Sequence, residues 1–497
     1  MQLVLLISIF VVATCGLIYE LVAGTLASYL LGDSVTQFST IIGVYLFSMG
    51  IGSWLSRYFN KNLLGWFVQV EILVGLIGGF SSALLFLLFE HVESFRIVLY
   101  MLISLTGIMV GMEIPLLMRI LKDELNFSDL VSKVFTFDYI GALLASVIFP
   151  LLLVPQLGLV RTSFLFGLLN VGVAFWVCLY FGKRLPWRNY LKTSAVVSLL
   201  LLTGGFVLAD DIMAISEEQT YPDKVIYSKS SPYQRIVLTR NRNNIKLYLN
   251  GNLQFSSTDE YRYHEALVHP VMQSVKDPEN VLLLGGGDGL AVREVLKYPT
   301  VKNITLVDLD AEVTKLFSTM NMLTALNDSA LLSSKVKVVN ADAFEWLKNN
   351  PVAFDCIIID FPDPTNYSVG KLYTTAFYRL LHNSLAVDGA AVVQCTSPLA
   401  APKSFWCINN TIQSCSFKTA PYHAYVPSFG EWGYIILNRN GYTIPTIQGS
   451  HKFLTASMLP PMFHFPPDMD KRPADVNRLN NQVLVQYFED EWGSYGQ

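Results

Sequence analysis

Three apolar runs in this chain end on an aspartate. Ile304–Val307 leads to Asp308, Val336–Val339 leads towards Asp342, and Cys356–Ile359 leads to Asp360, with Asp363 close behind in D-F-P-D-P. Short apolar runs bounded by turn residues read as buried strands. In a doubly wound sheet the strand ends line one crevice, where ligands bind. Repeated acids at that position describe a site rather than a solvated surface. They can accept hydrogen bonds from ribose hydroxyls, attract an ammonium group, or take a proton from a nucleophile.

Upstream, Val281–Leu284 runs into Gly285, Gly286, Gly287, Asp288 and Gly289, and then Ala291, Val292, Val295 and Leu296 recur at helical spacing. Strand, glycine turn and helix open a nucleotide-binding βαβ unit, because a backbone without Cβ atoms turns tightly and approaches a ligand closely. Asp308 lies 23 positions after Gly285, where an acid meets the ribose. A glycine-rich turn alone is a weak signal, but with the strand, the helix and the spaced acid it predicts nucleoside binding. Asp288 is odd for a loop that holds a pyrophosphate, since a carboxylate there opposes the anion. It argues for a positively charged cofactor. Its plainer role is a helix cap, and the two are compatible.

The elements that must position these residues occupy the second half of a 497-residue chain. Composition is 52% hydrophobic and only 15% charged, with net charge -4; this excludes an electrostatic case for nucleic acid as a partner. The six cysteines show neither C-x-x-C nor a regular histidine spacing, so no zinc site, other metal site or disulfide framework is expected. Four domains follow: 1–209 transmembrane helical, 210–270 small β-sheet, 271–440 α/β catalytic and 441–497 a C-terminal extension. In the second, Val225–Tyr227, Gln234–Thr239, Lys246–Leu249 and Leu253–Phe255 read as strands, with Asn250-Gly251 as a hairpin turn. Asp259, Tyr263, His264 and Glu265 crowd a helix start, which alone reads as a capped surface helix.

Residues 3–209 hold apolar runs of membrane-spanning length, at about 3–30, 37–59, 64–89, 96–121, 134–155, 160–181 and 190–209. Gly50, Gly52 and Ser53 suit close helix contact in lipid. Glu20, Glu71, Glu113 and Asp138 fall inside or at the edge of these runs, where a charge costs roughly 2.5–3.5 kcal/mol at mid-bilayer. They read either as a polar path or cation site or, the plainer reading preferred from sequence, as hydrogen-bonded carboxyls that fix helix packing. Arg57 and Lys61, Lys122, and Lys183, Arg184, Arg188 and Lys192 mark the second, fourth and sixth loops as cytoplasmic. Seven spans would then put the soluble part outside, against a nucleoside chemistry that belongs inside. The stretch 134–181, with Pro150, Pro155 and Arg161, is where a span is miscounted, and the soluble part is expected at the cytoplasmic face of the inner membrane.

Five motifs now occur in order: L-N-G-N-L-Q-F-S-S-T-D-E-Y-R-Y-H-E, L-L-G-G-G-D-G-L-A-V-R-E-V-L-K, V-D-L-D, D-A-F-E-W-L and I-I-I-D-F-P-D-P. Together, over about residues 225–440, they resemble the spermidine synthase family of aminopropyltransferases, which have a class I methyltransferase-like, Rossmann-type fold. Y-E-L-V-A-G-T-L-A-S-Y-L-L-G-D and F-D-Y-I-G-A-L resemble that family's membrane-embedded bacterial branch. The resemblance implies decarboxylated S-adenosylmethionine as co-substrate, no tightly bound cofactor, and putrescine or a related polyamine as acceptor. By the same resemblance Asp308 holds the ribose, Asp342 the adenine amino group, and Gly285, Gly287 and Ala343 sit against the nucleoside. Asp288 faces the aminopropyl tail, Asp360 is the general base, and Tyr263, His264 and Asp363 orient the diamine, with Gln254 and Gln394 lining the site. A lipid bilayer and self-association through the catalytic domain complete the implied partners.

The sequence departs from that family at three places. Phe361 and Pro362 follow the catalytic aspartate where small hydroxyl residues are usual; Thr365-Asn366-Tyr367 replaces a Gly-Pro; and Phe429 stands where a tyrosine often touches the acceptor. All three bear on the acceptor half. Two alternatives stay open on the residues: an S-adenosylmethionine-dependent methyltransferase, which Asp288 disfavours, and a membrane polyamine transporter or sensor with a binding-only soluble domain.

Overall fold

The computed structural model describes residues 2–31, 34–89, 92, 95–122, 126–182, 184–213 and 221–495. Gly32 and Asp33, which close one quoted apolar motif, and the loop residue Lys183 lie outside them. The chain divides into two compact units, Met1–Val225 and Ile226–Gln497.

The first unit is built from helices α1 (Gln2–Leu31), α2 (Ser34–Leu55), α3 (Leu63–Leu88), α4 (Phe95–Leu121), α5 (Phe127–Ile148), α6 (Val154–Tyr180) and α7 (Arg188–Val207). Among the described residues, six helical stretches are long and apolar enough to cross a membrane, because α5 and α6 form one run, Phe127–Tyr180. The sequence broke this run between 155 and 160; a π-helical turn at Phe149–Leu153 carries the helix on, and the break sits at Gly158, whose φ is 71°. Large apolar side chains such as Phe47, Leu151 and Leu200 remain exposed on this unit. Small residues set the helix spacing. A Cβ on Gly167 of α6 would lie 2.6 Å from the carbonyl oxygen of Gly75 on α3, and one on Gly52 of α2 would collide with Ile108 of α4. Gly50, expected to serve the same contact, faces open space.

The second unit contains two sheets. Strands β1 (Lys224–Ser230), β2 (Arg235–Asn241), β3 (Asn244–Leu249) and β4 (Asn252–Ser256) make a four-stranded sheet in that order. The larger sheet contains β5 (Asn280–Gly285), β6 (Asn303–Asp308), β7 (Val336–Asn340), β8 (Phe354–Asp360), β9 (Leu385–Gln394), β10 (Lys418–Val426) and β11 (Gly430–Asn438). Its order is β10-β11-β9-β8-β5-β6-β7. Strands β5 to β9 pair in parallel, and β11 and β10 are added antiparallel at one edge. Parallel strands are buried on both faces, and β5 shows it: Val281 and Leu283 join one apolar core and Leu282 and Leu284 the other, all four fully buried.

The helix Pro402–Gln413 and strand β10 carried no clear sequence signal. Pro421 and His423 interrupt β10, and its edge position is what tolerates the proline. The C-terminal segment is largely irregular from Gly441 until the helix Val483–Tyr495.

The β3–β4 turn holds Asn250 at φ 50° and Gly251 at φ 80°, the left-handed pair that a two-residue hairpin demands. Nothing lies within 4 Å of a Cβ added at Gly251, so Gly251→Ala meets only backbone strain. It is expected to cost about 1 kcal/mol, lowering the unfolding temperature by about 2–4 °C in differential scanning fluorimetry of the solubilised chain.

Candidate active site

Strands β5, β6 and β8 run parallel and in register, Leu284 beside Val307 and Gly285 beside Asp360. Parallel pairing therefore delivers the loop after β5 and the acids of β6 and β8 to the same end of the sheet. The loop is pressed between those acids. A Cβ at Gly286 would lie 3.1 Å from Asp360 Oδ2, and one at Gly287 would lie 2.7 Å from Asp308 Cγ. The absence of that carbon lets the Gly287 N–H donate to Asp308 Oδ2 at 3.0 Å, while the Asp310 N–H donates to Asp308 Oδ1 at 2.9 Å. Burial pushes the Asp308 carboxyl up to about 6, against the pull of those two N–H groups.

Asp288 stands two residues before the helix Leu290–Val295 and accepts from the Leu290 N–H through Oδ1 at 2.9 Å. Burial raises its carboxyl, with His264 acting in the opposite direction. The N-cap position read from sequence for Asp288 is taken by Gly289, whose φ of 74° makes the turn, and Asp288 instead holds the first helical N–H from one residue further out.

Asp360 ends β8 and accepts from the Tyr263 hydroxyl at 2.5 Å through Oδ1. Burial lifts it to about 6, partly offset by His264. Tyr263 is fixed edge-on and tilted against Phe429 and Tyr434, at ring separations of 6.0 and 5.7 Å. Phe429 thus stays beside the site as an apolar wall. Asp363, three residues beyond Asp360, keeps a buried Oδ1 without a hydrogen-bond partner. Burial pushes it up to about 7, against the pull of the nearby Gln394 amide. Gln394 is otherwise committed to its surroundings: its amide nitrogen donates to Phe361 O and to the Tyr373 hydroxyl, and its oxygen accepts from Trp432 Nε1 at 3.1 Å. Phe361, the departure that follows Asp360, turns into the core against Phe377.

The helix Glu260–Met272 supplies Tyr263 and His264. His264 Nδ1 lies 2.8 Å from Glu260 Oε2, and Arg293 clamps both oxygens of Glu260 at 3.0 and 2.9 Å. Burial opposes the charge on His264, but the Glu260 carboxylate outweighs it and raises the imidazole to about 8; Glu260 in turn falls to about 2 despite its burial. Glu260 and Arg293 were not singled out from sequence. Their signal was faint: Glu260 stands four residues before His264, one helical turn away, and Arg293 lies in the helix that follows the glycine loop.

Other expected residues stand further from this cluster. Asp342 caps the helix Ala343–Asn349 through Oδ1 and binds Lys371 Nζ at 2.6 Å through Oδ2. Burial works against it, but Lys371 and the cap N–H groups hold its carboxyl below the ordinary range. Ala343 is the first residue of that helix and offers only backbone there. Gln254 donates to Asn252 O at 3.1 Å within its own hairpin and, among the described residues, makes no hydrogen bond to the crevice acids. Glu265 points away, accepting the N–H groups of Lys452, Phe453 and Leu454 and so anchoring the C-terminal segment. Asp310 holds Ser231 and Gln234 at 2.6 and 2.9 Å. His269, Glu294 and His451 gather donor atoms within 4.8 Å, but Glu294 already accepts from Arg293, Lys297 and His269, so the group reads as an ion-pair network.

Asp288, Asp308 and Asp360 thus lie at one end of the sheet, the first within electrostatic reach of the other two, with His264 as a neighbouring titratable base and Asp363 three residues beyond Asp360. Of the expected site acids, only Asp342 is paired with a Lys or Arg among the described residues. Such a crevice favours a cation.

The spermine/spermidine synthase domain family matches residues 260–447. The chain is similar over 99% of its length, and 99% of the other, to a polyamine aminopropyltransferase of Leptospira interrogans at 52% identity. A polyamine aminopropyltransferase of Ralstonia nicotianae is 53% identical over 98% of each chain. One from Oceanobacillus iheyensis is 40% identical over 98% of this chain and 96% of its own.

Asp308, Asp360 and Asp363 titrate higher in the folded chain than in an unfolded one. The folded state therefore binds more protons between about pH 4 and 7, and stability falls as pH rises through that window. Asp360→Asn removes one such group and keeps an acceptor for Tyr263. In the ligand-free chain at pH 8 this variant is expected to unfold a few degrees above the parent, with the difference gone near pH 4.

Proposed function

The chain belongs to the polyamine aminopropyltransferase family and transfers an aminopropyl group in polyamine biosynthesis; from that premise we propose the donor, the acceptor and the role of each crevice residue. The donor is decarboxylated S-adenosylmethionine, a sulfonium whose tail ends in an ammonium. The acceptor is putrescine, and the products are spermidine and methylthioadenosine. The observation that carries this reading is the gathering of four carboxyls in one crevice without a paired lysine or arginine. Both reactants are cations, and each brings the charge this crevice lacks.

In this reading Asp308, held open by the Gly287 and Asp310 N–H groups, takes the ribose hydroxyls, and Asp342 takes the adenine amino group. Lys371 must yield part of its hold on Asp342 for that contact. The Asp288 carboxylate meets the aminopropyl ammonium. Ordinary S-adenosylmethionine would place a carboxylate there and be repelled. Asp363, with its orphaned Oδ1, binds the distal ammonium of the diamine, and Tyr263 and His264 orient the diamine.

The attacking amine has a pKa near ~10.4 in water and must lose a proton to become a nucleophile. Asp360 accepts it. Its carboxyl, lifted to about 6 by burial, is a stronger base than an exposed aspartate and is still ionised at neutral pH. The amine nitrogen then attacks the carbon next to sulfur, the C–S bond breaks, and the electron pair stays on sulfur in methylthioadenosine. Alignment of the two reactants supplies much of the acceleration.

We also read the first unit as membrane-embedded, on the strength of its six long apolar helices and their exposed apolar side chains. The second unit then lies at the cytoplasmic face of the inner membrane, where a charged nucleoside is available. With Phe127–Tyr180 counted as one bent traverse, six traverses return the chain to the face of its N-terminus. Arg57, Lys61 and Lys122 then lie on the cytoplasmic side, and Arg184 and Arg188 lie opposite.

Two outcomes are expected. With putrescine and decarboxylated S-adenosylmethionine, mass spectrometry of the solubilised chain detects spermidine, and kcat/KM falls tenfold per pH unit below about 6. Asp360→Asn loses at least ~100-fold in rate, and Asp288→Asn loses discrimination against ordinary S-adenosylmethionine; methylation of putrescine by the parent would replace this reading with a methyltransferase. Separately, green fluorescent protein fused after Gln497 fluoresces and alkaline phosphatase fused there stays inactive; the reverse pattern places the second unit outside.

A further inference from the structure

Two carboxyls are buried inside the helical unit. Glu71 on α3 is fully buried and Glu113 on α4 is 2% exposed. Each lies within electrostatic reach of the other. Asn170 on α6, also fully buried, donates from Nδ2 to Glu71 Oε2 at 3.0 Å. Tyr19 on α1, 4% exposed, stands within electrostatic reach of both acids.

The group is built rather than accidental. The ring of Tyr19 lies where a Cβ on Gly78 would be, at 2.6 Å, so a glycine on α3 makes room for it. One turn after Glu71, a Cβ on Gly75 would lie 2.8 Å from Gly167 O and 3.3 Å from Asn170 Cβ. The close approach of α3 and α6 is what brings Asn170 to Glu71. α1, α3, α4 and α6 thus each bring one buried polar group to the same part of the unit.

These groups do not satisfy one another. Glu71 Oε1, Glu113 Oε1, Asn170 Oδ1 and the Tyr19 hydroxyl are buried with no hydrogen-bond partner. A buried polar group left unpaired costs roughly 1–3 kcal/mol, so carboxyls serving only to fix packing would not be expected to leave four orphans. Three of the four are pure acceptors. Among the described residues, no lysine or arginine forms an ion pair with either acid. A primary ammonium presents three N–H donors to three orphaned acceptors. Its charge also favours the ionised form of the neighbouring carboxyls.

We propose that Glu71, Glu113, Asn170 and Tyr19 form a binding site for an alkylammonium group, the end of a polyamine, inside the helical unit. This replaces the packing role preferred from sequence. It rests on the reading of the second unit as a polyamine aminopropyltransferase, and a single chain would then hold its reactant or product class at two places.

The test is equilibrium binding of radiolabelled spermidine to the full chain in lipid nanodiscs, with aminopropyl transfer measured on the same preparations. The parent is expected to bind two molecules per chain. Glu71→Gln and Glu113→Gln are each expected to bind one, with transfer within about twofold of the parent, while Asp363→Asn loses the other site. Sodium chloride, with ionic strength held constant by choline chloride, is expected not to displace the membrane-unit molecule. One molecule per chain in the parent, two in both glutamine variants, or displacement by sodium alone would overturn the proposal. Should a glutamine variant also lose transfer, Glu113→Asp, which keeps the carboxyl, decides: two molecules bound supports the site, and one overturns it. Absence of spermidine synthesis by the parent bears on the catalytic reading alone, because stoichiometry is read without turnover.

Discussion

The crowding of like charges at the ends of β5, β6 and β8 is the constraint around which the second unit is arranged. Parallel strands end on the same side, so acids that terminate them necessarily meet. Carboxylates in a poorly solvated crevice disfavour their own ionisation, and Asp308, Asp360 and Asp363 all carry that burden. The fold compensates with backbone where side chains would not fit. The glycine loop lies so close to Asp308 and Asp360 that a Cβ would touch the carboxylates, and its N–H groups take their place. The remaining imbalance is what a doubly cationic reaction can use.

A second layer sets how much negative charge the crevice keeps. His264 acts on both Asp288 and Asp360, and its charge depends on Glu260, which depends on the Arg293 clamp. The helix bearing Tyr263 and His264 is itself fastened by Tyr422, whose hydroxyl donates to Ala266 O at 2.7 Å, and by Glu265, which holds the C-terminal segment. The side of the site that holds Tyr263 and His264 is therefore positioned by residues far along the chain, and the side that holds Asp308 by residues adjacent in sequence.

The helical unit solves a related problem with other means. It has no backbone donors to spare, since helix N–H groups are used internally. Close approach through glycines lets side chains from four helices meet instead. Hydrogen bonding there is incomplete, whereas in the second unit buried acids such as Glu260, Glu265 and Asp310 are occupied and Asp363 keeps an orphaned oxygen.

Local pattern was sufficient for the elements around the glycine loop. Strand–glycine–helix spacing and an acid 23 residues after Gly285 depend on neighbours in sequence, so the placing of Asp288, Asp308 and Asp360 at the ends of neighbouring strands was legible before any coordinates. So were the apolar runs, because length and composition alone decide whether a helix is long enough to cross lipid. What sequence left undecided involves partners distant along the chain. Nothing local says that Glu260 binds Arg293, that Phe361 turns into the core, that Gln254 stays in its hairpin, or that Gly158 rather than the prolines breaks Phe127–Tyr180. The pairing of Glu71 with Glu113 belongs to the same class. Each acid is visible in its helix, but only the packing of α3 against α4 and α6 makes them neighbours and leaves their oxygens without donors. Sequence determines which groups are present and their local periodicity; tertiary structure alone decides which of them share an environment, and burial and charge act through that environment.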